Sequence, residues 1–133
     1  MEYRTFGRTA LLSSVVGLGT WAIGGIRYGR VDDGDSVRAV GAALDAGITC
    51  FDTAPTYGGG HSEELLGRAL GARRAGVVIV TKGGLVRDAE NRVVRDSRRE
   101  TLETHLERSL RRLATERAEQ DSFHVNQLHR THS

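Results

Sequence analysis

Thr49-Cys50-Phe51-Asp52-Thr53-Ala54-Pro55-Thr56-Tyr57-Gly58-Gly59-Gly60-His61-Ser62-Glu63 is the stretch on which the reading of this chain turns. It opens with β-branched and apolar residues, changes abruptly to Asp, Thr, Pro and three glycines, and runs into an acidic, Leu-rich segment at Glu63-Glu64-Leu65-Leu66. That order predicts strand, loop and helix in succession. In a βα unit the carboxyl end of the strand and the loop after it carry binding and chemistry. Asp52 and Tyr57, five residues apart in that loop, are therefore the first pair to explain.

Upstream, Asp33-Gly34-Asp35-Ser36 offers N-cap residues for a helix in which Val37, Val40 and Leu44 recur at three- and four-residue spacing, with Gly47 placed to end it. Before it, Val15 to Ala22 reads as a short apolar strand that breaks into glycines. The run Gly17-Leu18-Gly19-Thr20-Trp21-Ala22 has the outline of a dinucleotide-binding fingerprint, but that motif needs a helix to begin at its glycines. Ile23-Gly24-Gly25-Ile26-Arg27-Tyr28-Gly29 follows instead, too rich in glycine for a helix start. Trp21, at the strand end, either lines a pocket or plugs the core. Residues Glu2 to Phe6 and Leu12 to Val16 flank Gly7 as the two arms of a β-hairpin.

Downstream, Ser62-Glu63-Glu64 opens a helix that sets Leu65, Leu66, Ala69 and Leu70 on one face. Val77-Val78-Ile79-Val80-Thr81 is an uninterrupted β-branched run, as expected of a strand covered on both faces in a parallel sheet. It ends at Lys82-Gly83-Gly84. Arg87 to Asp96 reads as a polar linker to a capping box, Ser97-x-x-Glu100, ahead of a helix carrying Leu102, Leu106, Leu110 and Leu113, whose charged remainder, His105 included, reads as a solvated face. The tail from Ala114 to Ser133 is less regular, with Phe123 to His129 as its best strand candidate.

Strand centres thus fall near positions 17, 50, 79 and 126 with a helix between each pair, which predicts a parallel α/β sheet. A closed eight-stranded (β/α) barrel needs roughly 250 residues, and 133 supply about half. With 38% hydrophobic residues, one domain is expected. The net charge of +2 is small, and although the isoelectric point is near 9.1, charges of both signs are interspersed, so nucleic acid is not an expected partner. No apolar run has signal-peptide or membrane-span length. Cys50, the single cysteine, sits inside an apolar strand and suits a core position in a reducing, cytoplasmic setting. The histidines at 124, 129 and 132 match no zinc spacing, and no metal is expected.

In a parallel sheet Gly19 to Trp21, Asp52 to Tyr57, Lys82 and His129 all follow the carboxyl ends of different strands and share one rim. Lys82 is the only lysine among 19 basic Lys and Arg residues. A phenol gives up a proton poorly at neutral pH unless a neighbouring cation stabilises its anion. Lys82 suits that task, Asp52 would orient Lys82, and His129 would donate to a substrate oxygen gaining charge. The set fits carbonyl reduction, and because none of these groups supplies hydride, a nicotinamide cofactor is implied.

Gly17-Leu18-Gly19-Thr20-Trp21, Asp52-Thr53-Ala54-x-x-Tyr57-Gly58 followed by Ser62-Glu63, Thr81-Lys82, and Ser109-Leu110-Arg111-Arg112-Leu113 resemble the aldo-keto reductases over residues 3 to about 115. The resemblance implies a TIM (β/α)8 barrel, present here as a truncated half-barrel: a hairpin plug at 1–16 and the first four strands over 17–133. It implies reduction of an aldehyde or ketone with NADPH, or NADH as the alternative. Asp52, Tyr57 and Lys82 resemble three members of the catalytic tetrad, with Tyr57 as proton donor; His129 is the choice for the fourth and His124 the alternative. Gly19, Thr20 and Trp21 resemble the first active-site loop, beside nicotinamide and substrate, with Asp52 bordering the cofactor. The family's phosphate-gripping residues fall in the second half of the barrel, so no such site carries over. A different reading is a non-catalytic half-barrel that associates through its exposed sheet edges.

Overall fold

The computed structural model describes residues 1–25, 29–113 and the backbone of 124–125. Its centre is a four-stranded parallel sheet of β3 (Gly17–Gly19), β4 (Cys50–Asp52), β5 (Val78–Thr81) and β8 (His124–Val125), in that spatial order. Successive strands are neighbours: Gly19 lies opposite Asp52, Asp52 opposite Val80, and Val80 opposite His124. Every connection within the sheet carries a helix, α1 (Asp33–Asp45), α2 (His61–Leu70) or α3 (Arg99–Arg112). This is the repeating βα arrangement expected from the alternating sequence pattern.

The helices form because each carries an apolar stripe that the sheet can bury. Val40 and Ala43 of α1 and Leu66 and Leu70 of α2 pack against Phe51, Val77, Ile79 and Leu113 to make the core. Val37, expected on the inward face of α1, is instead 39% exposed; Val40, Ala43 and the partly buried Leu44 do the packing. The cap of α1 is Asp32, one residue ahead of the expected candidates, accepting a hydrogen bond from the Asp35 amide. At α3 the expected Ser97/Glu100 capping box is not formed. Asp96 takes over, accepting from the Arg98 amide at 3.0 Å and the Thr101 hydroxyl at 2.8 Å. The helix starts one residue later than the box requires, with Arg98 at the N-cap, so Ser97 and Glu100 do not occupy the paired cap positions.

The amino-terminal hairpin pairs β1 (Tyr3–Thr5) with β2 (Leu12–Ser14), and it docks at the strands' amino ends. The Tyr3 hydroxyl donates to the Gly47 carbonyl, and the Ser14 and Thr49 backbone amides donate to each other's hydroxyls, each at 2.9 Å. A second hairpin, β6 (Leu85–Arg87) with β7 (Val93–Arg95), occupies the segment read as a polar linker. Its turn is closed by Asp88, whose carboxylate accepts from the Glu90 and Arg92 amides. The β-branched Val86, Val93 and Val94 around that Asp were the available signal.

Candidate active site

At the carboxyl ends of β3, β4 and β5 the chain brings Trp21, Asp52, Tyr57 and Lys82 together. Asp52 is the last residue of β4 and Lys82 the first after β5, so paired parallel strands deliver them to one rim. The Lys82 ammonium donates to Asp52 Oδ1 at 2.6 Å and to the Thr53 carbonyl at 2.9 Å. It also lies 5.0 Å from the centroid of the Tyr57 ring. The Lys82 side chain is 14% exposed, whereas that of Asp52 is 45% exposed. The cation is thus the sheltered partner and the carboxylate the one facing water.

Tyr57 begins a tight turn, Tyr57–Gly60, in which Gly58 and Gly59 both have φ of 65°. Left-handed backbone of this kind is why glycine is needed there. The turn nests against Ala22–Gly24, the turn after β3: a Cβ on Gly24 would stand 2.7 Å from the Gly58 nitrogen. That approach sets Trp21 beside Tyr57, with ring centroids 6.5 Å apart and planes inclined by 33°. A small cleft of about 70 Å³ opens between Pro55, Thr56, Tyr57, Lys82, Gly83 and Leu85. It adjoins a wider one of about 200 Å³ that reaches His105, Arg108 and Arg112 on α3.

Beneath the rim lies a buried hydroxyl cluster. The Ser62 hydroxyl is 2.7 Å from Thr20 Oγ1 and 3.0 Å from Thr53 Oγ1, and the Thr20 hydroxyl donates to the Asp52 carbonyl at 2.9 Å. Thr20 is wholly buried. Of the three residues expected to line the first loop, Trp21 is open at 47% and Gly19 lies at the surface, while Thr20 works from below, tying the end of β3 to Asp52 at the end of β4 and to Ser62 of α2. His129 lies outside the described residues. His124 belongs to β8, opposite Val80.

Two residues were not singled out from sequence as site components. Glu63 was read only as an acid suited to a helix amino terminus and as part of a motif, yet it is completely buried. It accepts from the Thr81 hydroxyl and from Arg112 Nε, each at 2.6 Å. His105, read as solvated, is half-buried and accepts the Gly84 amide at Nδ1 across 3.2 Å. At the outer edge of the site His61 Nε2 donates to Asp33 at 2.8 Å. That bond, more than the neighbouring Arg68, holds the Asp33 carboxyl below the ordinary carboxylate range.

An acid, a phenol and an ammonium meeting at the end of a parallel sheet are found in company with clear relatives. Residues 15–129 match the family model described as "Aldo/keto reductase family". The chain is 42% identical over 118 residues to Aldo-keto reductase YhdN of Bacillus subtilis (strain 168), spanning 87% of this chain and 35% of that protein. Among solved structures, the glycerol dehydrogenase AKR11B4 of Gluconobacter oxydans is 43% identical with a TM-score of 0.72, over 91% of this chain and 38% of that one. An aldo-keto reductase of Klebsiella pneumoniae in complex with NADPH is 33% identical with a TM-score of 0.61, over 78% of this chain and 32% of that one. These structures are TIM barrels, and the chain spans about a third of their length. Fold, motif and match over most of its residues agree: the chain belongs to the aldo/keto reductase family.

Proposed function

We propose that this chain carries the proton-donating part of a nicotinamide-dependent carbonyl reductase. The observation that carries the reading is the contact of Lys82 with Asp52 at 2.6 Å while the same ammonium stands 5.0 Å from the Tyr57 ring. Tyr57 gives its phenolic proton to the oxygen of an aldehyde or ketone. Lys82 stabilises the charge left on the phenol oxygen, and Asp52 keeps the ammonium oriented. His129 is the proposed donor to the carbonyl oxygen, with His124 the alternative.

The residues present fit the reacting end of NADPH, the cofactor named for the Klebsiella pneumoniae relative, with NADH as the alternative. The partly exposed Trp21 indole offers a flat apolar wall, and Gly19, which has open space where a side chain would sit, leaves room beside Asp52. When bound, the cofactor supplies the hydride that none of these side chains can provide. The substrate is a small carbonyl compound. The setting proposed is the cytoplasm, where Cys50 stays a thiol.

Titration with NADPH followed by Trp21 fluorescence, and an assay of aldehyde reduction, test this reading. NADPH binding and aldehyde turnover are expected, and Tyr57→Phe should abolish the turnover with the fold retained. An unchanged rate in that variant would refute the assignment of the acid.

A second reading has its own observation. Leu12, Val15 and Val16 beside the β3 edge are 62%, 48% and 51% exposed. Apolar groups flanking an open sheet edge favour association, so the alternative is an assembly module that pairs with another chain or copy. Mass measurement in solution across a dilution series distinguishes the two.

A further inference from the structure

Lys82 precedes Gly83-Gly84, and two glycines in succession leave the backbone little local preference. The position of its ammonium must therefore be set from outside the turn. Helix α3 is linked to the turn at both ends, directly downstream and through Glu63 of α2 upstream. On the upstream side Thr81 donates to the buried Glu63, which in turn holds Arg112 at the carboxyl end of α3. On the downstream side the Gly84 amide donates to His105 Nδ1 in the middle of α3, and the Gly84 carbonyl accepts the Asp96 amide at 2.9 Å just ahead of that helix. His105 and Arg112 are seven residues apart and so lie on one face of α3, two turns from each other.

We propose that α3 is the positioning element for Lys82, and that His105 is a positioning residue of the reducing site, clamping the Lys82-Gly83-Gly84 turn through its Nδ1 lone pair while Glu63 and Arg112 anchor Thr81. This rests on the reading of Lys82 as the cation that serves Tyr57. An imidazole that accepts at Nδ1 carries its proton at Nε2. Removing the acceptor frees the Gly84 amide and lets the glycine turn move, so the ammonium loses its fixed approach to Asp52 and Tyr57.

The single lysine makes this directly measurable, because lysine labelled with ¹³C at Cε gives one resonance. His105→Phe keeps a ring of similar volume without an acceptor, and His105→Asn sets an amide oxygen near the place of Nδ1. In His105→Phe the Lys82 resonance is expected to move toward the position of free lysine and broaden. Exchange of the Gly84 amide should quicken by about fivefold, as for loss of one hydrogen bond. His105→Asn should restore both signals while the two variants melt alike. A Lys82 resonance unmoved in folded His105→Phe, or moved and not restored by Asn, would overturn the proposal. Should His105→Phe not fold, the wild-type tautomer decides: long-range ¹H–¹⁵N correlations are expected to show the proton on Nε2, and a proton on Nδ1 would equally overturn it. None of these signals reads turnover, so a catalytically silent chain and a failed clamp give different results.

Discussion

Lys82 and Asp52, thirty positions apart in the chain, meet across 2.6 Å because β4 and β5 pair in parallel with Asp52 opposite Val80. The pair is asymmetric in its surroundings, with the ammonium 14% and the carboxylate 45% exposed. Losing the cation leaves Asp52 a carboxylate that water can solvate. Under the proposed function, Lys82→Met is therefore expected to change stability by no more than about 1 kcal/mol while lowering any carbonyl-reduction turnover at least about 10²-fold. Thermal unfolding and a carbonyl-reduction assay on the same preparation check both halves. A variant that melts early and turns over normally would contradict the assignment.

The approach of Gly24 to Gly58 predicts how the two loops respond to an added methyl group. Gly24→Ala puts Cβ 2.7 Å from a backbone nitrogen that cannot swing aside. It should cost about 1–3 kcal/mol and displace the Tyr57 turn, seen as altered Trp21 fluorescence. Gly59→Ala has open space but a φ of 65°, so only the left-handed backbone penalty of about 1–2 kcal/mol applies. Gly19→Ala meets nothing within 4 Å and should be stable, making it the control. Urea denaturation ranks the three.

Arg112 and Glu63 predict a large difference between two ion pairs made by arginines of α3, one reaching α2 and one within the helix. Glu63 is wholly buried and Arg112 22% exposed, so Arg112→Ala strands a buried carboxylate at an expected cost of about 3–5 kcal/mol. Arg99 and Glu103, on the same helix, are 88% and 57% exposed, and Arg99→Ala should change stability by less than about 1 kcal/mol. Equal unfolding midpoints for the two variants would contradict the buried network.

Asp96 predicts the direction of a pH dependence. Its carboxyl is held well below its ordinary value of 3.8, chiefly by the Arg98 side chain, which Asp96 in turn holds above its usual range. A group whose proton affinity falls on folding adds stability that is complete above the unfolded carboxyl value and disappears as pH drops through the lower folded one. Asp96→Asn should thus be less stable than the parent near neutrality, and the gap should close as pH falls below 3.8. Chemical denaturation at a series of acid pH values reads this, and a gap that widens toward acid would refute it.

Much of the fold was legible in the chain because periodicity reports which face of a segment is apolar. Val77 to Thr81 as a buried strand, Leu65 to Leu70 as a packed helix face, and strands centred near 17, 50 and 79 all follow from local pattern, while the fourth strand, expected near 126, is described at His124–Val125. The Asp52, Tyr57 and Lys82 set could be placed on one rim from the same pattern, since parallel strands all end on the same side. The hairpin from Leu85 to Arg95 was missed because its strands are only three residues long, too short for a face to show as alternation, and Val86, Val93 and Val94 were the remaining signal.

What the amino-acid order determined by itself was the succession of strands and helices, the residues that seek the core, and the end of the sheet at which Asp52, Tyr57 and Lys82 gather. Only the tertiary structure decided how the polar groups are partnered. Glu63 became a buried anion rather than a helix-terminus charge because Thr81 and Arg112, 18 and 49 positions away, arrive to satisfy it. His105 became an acceptor for the lysine turn, and Thr20 a brace instead of a lining residue, for the same reason. Apolar burial needs only a face, which local spacing encodes, whereas a hydrogen bond or ion pair needs one particular partner at about 3 Å, and folding brings that partner from elsewhere in the chain.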